Sequence, residues 1–410
     1  METLDFRTKT EFKSVKHASC RTYWPVAIDI GYSAVKTYSP NTCSCFPSYA
    51  KKLGLRETIV GSPVKDEIWY IDNTTNEVWR VGESAMRSVS ANDTNETDEK
   101  LFSRHRYLSE MFRIIARTGI GFGMMNTGAG AYNAGLAPYV QTGLPPAYLK
   151  GTDRQELTQA LTGHHKFTLR FGDRTQSFDF TLEEKDIGIM AQPEGTLMSI
   201  SMNDDTRSTK SARNYFSSNV LIADAGFETV DLYELYNRQI RGRATFTSVG
   251  MHAILDKTIK KMQEKCGGVQ VDQLTIQAAL EAGKVSMVEW NPSNGRPRRV
   301  YHEIAPFLEE AVNEVFDDLC SQIGENIKDS ISEYRYLVLT GGTFAPWEQA
   351  MKEYFGALCE IGGNGLTILM GNENCKDTTD LIYTNVRGYY LYAVSGLRRK
   401  ECDTAKSDGE

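Results

Sequence analysis

The 410-residue chain is 40% hydrophobic and 24% charged, a globular composition that suggests two domains or one large one. Its formal net charge of -7 argues against a general polyanion binder and leaves nucleic acid reachable only through a local basic patch or an adaptor. No stretch approaches the roughly 20 apolar residues of a membrane-spanning helix, and the polar start METLDFRTKTEFKSVKHASC does not read as a secretory signal. The eight cysteines are scattered. Cys43 and Cys45 form a C-x-C without a second pair or a histidine cluster, which is poor zinc spacing and suits free thiols of a cytoplasmic protein.

In chain order, no apolar period begins before Trp24, so residues 1–24 read as an extension preceding the fold. WPVAIDI is then a buried strand and SAVKTYS its antiparallel partner across a glycine turn. The polar stretch Ser88–Lys100 reads as a surface loop, followed by a helix over LFSRHRYLSEMFRIIAR. The glycine-rich GIGFGMMNTGAGAYNAG completes no G-x-G-x-x-G and follows a helix, so it reads as a flexible connector or packing turn. YVQTGLP, HKFTLRF, SFDFTL, DIGIM and TLMSISM predict a strand-rich run, broken by a short helix over DRQELTQAL.

From NVLIAD the hairpin-then-helix grammar starts again. VGMHAILDKTIKKM, VDQLTIQAAL and HEIAPFLEEAVNEVFDDLCSQI predict helices, YLVLT a buried strand and TNVRGYYLYAVSGL a terminal helix. Strands alternating with helices on both sides of the midpoint place the chain in the α/β class.

VAIDIGYSAVK and LIADAGFETVD share one pattern: Asp, then Gly at +2, an aromatic at +3 and Val at +6. One such turn has local explanations, because Asp and Gly favour turns anyway. Two copies, each after an apolar strand and each opening a half-chain, point to duplication of one phosphate-gripping unit. Glycine lets backbone N–H groups approach an anion, and a carboxylate at the strand end can hold a water of Mg²⁺. Lys36, on the returning strand, is either a phosphate contact or an exposed strand lysine. In YLVLTGGTFAPWE a buried strand ends in Thr340-Gly341-Gly342-Thr343 before a helix, which permits close approach of a flat ligand or is a tight turn.

With these three elements in order, the chain resembles the actin/Hsp70/sugar-kinase ATPase superfamily, and within it the bacterial actin-like proteins of the ParM/StbA plasmid-segregation type. TGLPPAYLKG, IMAQPEGTL and TNVRGYYLYAV look like family segments in their expected order. The resemblance implies a duplicated two-domain ATPase fold with a nucleotide cleft between the domains. It divides the chain into the extension 1–24, a first domain over 25–195 plus 384–410, and a second over 196–383.

It implies nucleotide contacts at Asp29, Gly31, Tyr32 and Lys36, at Asp224, Gly226, Phe227 and Thr229 with Asp231 beside them, and at Gly341, Gly342 and Thr343. Mg²⁺ would be held by Asp29 and Asp224 through water, with ATP or GTP as the nucleotide. Gln192 or Glu194 would orient the attacking water, and Asp224 completes the catalytic set. DAGFET departs from the pattern at Phe227 and Glu228, where many relatives have a second glycine. The implied activity is Mg-dependent ATP hydrolysis coupled to head-to-tail filament turnover, with plasmid DNA reached through a ParR-type adaptor and no membrane involved. A small-molecule kinase of the sugar-kinase type is the alternative.

Overall fold

The computed structural model describes residues 3–54, 66–88, 106–266, 271–290, 293, 295–359, 365–375 and 380–407. The first half opens with β1 (Glu11–Ser14), β2 (Tyr23–Ile30), β3 (Ala34–Tyr38) and β4 (Thr42–Pro47). A smaller group follows: β5 (Ala50–Lys52), β6 (Ile68–Asp72), β7 (Val78–Val81) and the short α1 (Glu83–Arg87). Next come α2 (Glu110–Met124), β8 (Ala137–Leu144), α3 (Thr152–Leu161), β9 (Gly163–Phe171), β10 (Arg174–Leu182), β11 (Ile187–Ala191) and α4 (Gln192–Ser201). The main sheet runs β1-β4-β3-β2-β8-β11, and a second sheet runs β10-β9-β6-β7-β5.

Strand β2 is buried on both faces, as central strands of α/β sheets are. Trp24, Val26, Ile28 and Ile30 share one core with α2, while Ala27 shares another with the C-terminal helix. The period-two alternation of one strand therefore feeds two layers.

The second half has α5 (Ala212–Ser217), β12 (Val220–Ala225), β13 (Val230–Tyr236), β14 (Gln239–Phe246), α6 (Met251–Lys265) and α7 (Gln273–Ala279). It continues with the ribbon β15 (Lys284–Trp290) and β16 (Pro297–Glu303), then α8 (Ala305–Ile327), β17 (Tyr336–Thr340), α9 (Glu348–Cys359), β18 (Thr367–Met370) and α10 (Thr384–Ser407). Its sheet runs β14-β13-β12-β17-β18. The neighbours of the two hairpins repeat: β2 is antiparallel to β3 and parallel to β8, and β12 is antiparallel to β13 and parallel to β17. Duplication is thus visible in topology as well as in the Asp-x-Gly turns.

Two helices exchange sides between the halves. α4 follows the first sheet, but its Leu197 and Ile200 pack with Val220, Ile222 and Val338 of the second. α10 follows the second sheet, but its Val386, Tyr390 and Val394 pack with Ala27, Tyr38 and Cys43 of the first. The cleft lies beside this crossing.

Four expectations change. Residues before Trp24 are part of the fold: β1 pairs with β4, and Phe6 lies in the core of the second half. An edge strand with half-exposed residues leaves no apolar period to read. The helix predicted from Leu101 starts at Glu110, where the Ser109 side chain accepts from the Phe112 N–H, after a 3-10 turn at Arg106–Leu108. Residues 101–105, and all but Ser88 of the predicted loop Ser88–Lys100, lie outside the described residues.

GIGFGM is the end of α2 rather than a connector. A Cβ at Gly119, Gly121 or Gly123 would stand 2.5–2.6 Å from Ile28, Leu169 or Val26, so these glycines let the helix press onto the strands. TLMSISM, predicted as a strand, lies in α4 and its C-cap. Burial on nearly every side removed the 3.6-residue period that would have marked a helix.

His165 on β9 carries a pH prediction. It is 1% exposed, its Nε2–H donates to Leu161 O at 2.9 Å, and its buried Nδ1 has no hydrogen-bond partner among the described residues. Burial, then the Arg117 charge, push its pKa down to about 4 from 6.5, against the pull of the Leu161 carbonyl. The unfolded chain therefore takes up this proton first as pH falls. The stabilisation is complete above pH 6.5 and fades as pH drops toward 4, by about 3 kcal/mol in total. Unfolding midpoints measured from pH 7 to pH 4.5 should fall more steeply in the native protein than in His165→Leu.

Candidate functional site

Both hairpins close in the same way. Gly31 N–H donates to Ala34 O and Gly226 N–H to Thr229 O, each at 2.9 Å. Strand pairing then sets Asp29 directly opposite Lys36, and Asp224 directly opposite Asp231. The two units share a backbone but differ in charge.

In the first hairpin, Lys36 Nζ donates to Asp29 Oδ2 at 3.1 Å, and both side chains are largely buried. Burial works against the Lys36 ammonium, but Asp29, Cys45 and Asp224 outweigh it and hold its pKa above the ordinary lysine value. A protonated lysine beside the first turn suits an anionic ligand.

In the second hairpin, Thr229 and Thr245 hydroxyls donate to Asp231 at 2.9 and 2.6 Å. Asn385 Nδ2 donates to Asp224 Oδ2 at 2.8 Å, and Thr196 Oγ1 donates to Asn385 Oδ1 at 2.6 Å. Burial raises the Asp224 pKa to about 6, with Asp231 and Asp29 adding to the rise while Asn385 and Lys36 oppose it. Among the described residues only Asn385 donates to this mostly buried carboxylate, which is therefore short of positive charge.

The third motif seats against the second hairpin. Gly341 has φ of 95°, and a Cβ there would meet Ala225 O at 2.3 Å and Asp224 Oδ1 at 2.8 Å, so only glycine fits. Thr343 Oγ1 donates to Gly226 O at 2.8 Å, which gives this side chain a structural task. Thr340 Oγ1, paired in register with Asp224, is buried without a protein hydrogen-bond partner among the described residues.

One cavity of about 240 Å³ is lined by both hairpins, by Gly341–Thr343 and by Gln192, so the expected residues are brought together, Glu194 excepted. Tyr32, Phe227, Thr229 and Asp231 line it as well. Glu194 does not; its carboxylate turns back toward the Ala191 N–H at 3.4 Å, inside the first turn of α4. Of the two water-orienting candidates, Gln192 alone faces the cavity.

Sequence reasoning missed Asn385, Arg106 and the N-terminal residues Phe6, Arg7 and Thr8, all of which line the cavity. Arg106 donates to Ile30 O at 2.6 Å and lies 4.3 Å above the Tyr32 ring. Asn385 stood in a segment already marked as family-like, but nothing in the sequence ties it to Asp224.

The donor set fits Mg²⁺. Asp29 is close enough to Asp224 to add to the rise of its pKa, and both carboxylates offer hard oxygens. Among the described residues no group of three acidic, histidine or cysteine side chains forms a self-sufficient metal cage. A magnesium ion here would rely on waters and phosphate oxygens for its remaining ligands.

Two sheets of one topology, exchanged helices and paired acidic hairpins around one cleft define an actin-like, duplicated two-domain fold. Residues 27–195 match the family described as the N-terminal domain of actin-like proteins. No curated protein sequence matches the chain.

Among solved structures, the chain is similar to a non-polymerisable quadruple mutant of pCBH ParM: TM-score 0.65, 18% identity, 91% of this chain and 100% of that one. It is similar to the subunit of a 15-stranded ParM filament from Clostridium botulinum: TM-score 0.62, 17% identity, 92% and 100% covered. An archaeal actin homologue in complex with ADP matches with a TM-score of 0.55 at 15% identity, over 90% and 98% of the two chains. At such identities the fold is what is shared.

Proposed function

We propose that this chain is a nucleotide-dependent polymerising ATPase whose dynamic filaments segregate plasmid DNA through a ParR-type centromere-binding adaptor. One observation carries the nucleotide part: two matched Asp-x-Gly hairpins, one from each domain, face a single cavity together with a largely buried lysine. The filament part is supported by likeness to ParM structures, one of them a filament.

In this reading the backbone N–H groups of the two turns and the Lys36 ammonium grip the phosphates of ATP or GTP. Asp29 and Asp224 would hold Mg²⁺ through water, and the ion would supply neutralisation of phosphate charge. Gln192, at the start of α4, orients the attacking water. Lys36 already engages Asp29, which leaves that carboxylate poorly placed to act as the base of a sugar kinase. Subunits adding head to tail build an open polymer, and cleft closure on nucleotide gates the contacts. The acidic chain works in the cytoplasm and reaches DNA only through the adaptor.

The test is light scattering with simultaneous phosphate release after addition of Mg-ATP to purified protein. Assembly followed by decay is the expected result. No assembly over a wide concentration range, with sugar-dependent ADP production, overturns the reading in favour of a kinase. Gln192→Ala should bind nucleotide with native affinity, hydrolyse it about 10–100-fold more slowly and prolong the filaments. Native hydrolysis in that variant removes Gln192 from the role.

A further inference from the structure

The N-terminal segment crosses the cleft. Its first turn, the 3-10 turn Thr3–Phe6, belongs to the second domain: Thr3 Oγ1 donates to Leu280 O at 2.8 Å, and Phe6 is buried among that domain's core residues. Its end belongs to the first domain, where β1 adds to β4 at the sheet edge. Between these anchors Arg7 pairs with Glu83 of α1 in the first domain and, at 3.1 Å, with Glu281 beside α7 in the second. Glu83 also accepts from the Thr10 N–H. Phe6, Arg7 and Thr8 line the cavity that holds Asp29 and Asp224.

We infer that residues 3–14 are a latch over the cleft, with Arg7 as its clamp, and that unlatching limits how fast a bound nucleotide leaves. This inference rests on the nucleotide reading proposed above. Separation of the domains must pull Glu83 away from Glu281, and the strap is fixed at both ends. The weak link is the Arg7–Glu281 pair, since Glu281 is half exposed, whereas Arg7 and Glu83 are each only 9% exposed. Exposed ion pairs are weak and screened by salt. Phe6 is the stronger anchor, and while it stays docked the few residues to Glu11 tether the domains within roughly 17 Å of chain.

The experiment follows release of a fluorescent ATP analogue chased with excess unlabelled ATP. Glu281→Ala touches no core and should release the analogue about 3–5-fold faster, matching the loss of one partly exposed ion pair. Raising NaCl from about 50 to about 500 mM should bring native release close to that rate and leave Glu281→Ala nearly unchanged. Phe6→Ala, which frees the anchor, should release fastest of all. Hydrogen exchange of Glu11–Ser14 and Gln273–Ala279 in nucleotide-free protein is the second readout and should quicken in Glu281→Ala.

Release from both variants at the native rate overturns the latch. If the native chain binds no nucleotide, it is the site reading that has failed, and unchanged hydrogen exchange then overturns the latch by itself.

Discussion

Asp224→Asn should lose Mg-nucleotide binding by about 100-fold or more while its fold becomes no weaker. The two effects have one origin. Asp224 is a mostly buried carboxylate whose pKa rises to about 6, with burial as the largest cause. That value exceeds the pKa of the unfolded aspartate, so the folded state favours the protonated form. Whatever stability the group contributes is therefore present at low pH and lost as pH rises through about 6. Near neutrality the ionised group costs the empty protein about 3 kcal/mol at most.

Asparagine is nearly isosteric, remains able to accept from Asn385 Nδ2, and removes that charge. In EDTA the variant should melt at the native temperature or roughly 1–4 °C above it. With Mg-ATP the order should reverse, because only the native protein gains stability from the ligand. Calorimetric titration with Mg-ATP, beside melting curves in EDTA, checks both halves. A variant that binds within a few-fold of native removes Asp224 from the metal site. One that binds poorly and also melts far below native would show that the carboxylate serves the fold instead.

What was legible in the sequence follows from where each signal resides. Asp29 and Asp224 could be read because each ends a strand buried on both faces and opens a turn that only a few residue types make. α8 and α10 could be read from long runs of helical spacing. α4 was misread because a helix sandwiched between a sheet and another helix is apolar on most sides. Its T-L-M-S-I-S-M string alternates by accident like a strand. Asn385 and Arg7 were invisible for a different reason. Each matters through one or two contacts with residues far away in sequence, Asp224 for Asn385 and Glu83 with Glu281 for Arg7. No local pattern records such a contact; only the folded chain does.

The second large effect is expected at the helix crossing. A Cβ on Gly388 would lie 1.7 Å from Gly195 O and 2.9 Å from Gly195 Cα, so α10 and α4 touch backbone to backbone. Arg387, the preceding residue, is fully buried and bolts the crossing with bonds to Ser199 O (2.7 Å), Asp204 (2.7 Å), Met202 O (3.3 Å) and Asn374 O (3.2 Å). Neither helix can retreat without breaking these bonds.

Gly388→Ala should therefore cost more than about 3 kcal/mol, even though alanine favours a helix interior. The same helix supplies its own control. Gly396 is exposed, and a Cβ there meets nothing within 4 Å among the described residues. Gly396→Ala should stabilise by roughly 0.5–1 kcal/mol through backbone entropy and helix propensity. The chemistry should follow the crossing as well: α4 begins at Gln192 and α10 carries Asn385, the partner of Asp224. In Gly388→Ala, nucleotide affinity should fall with the melting temperature, whereas Gly396→Ala should bind as the native protein does. Equal melting temperatures for the two variants would mean that the helices have room to part, and that the two domains are not joined at this point.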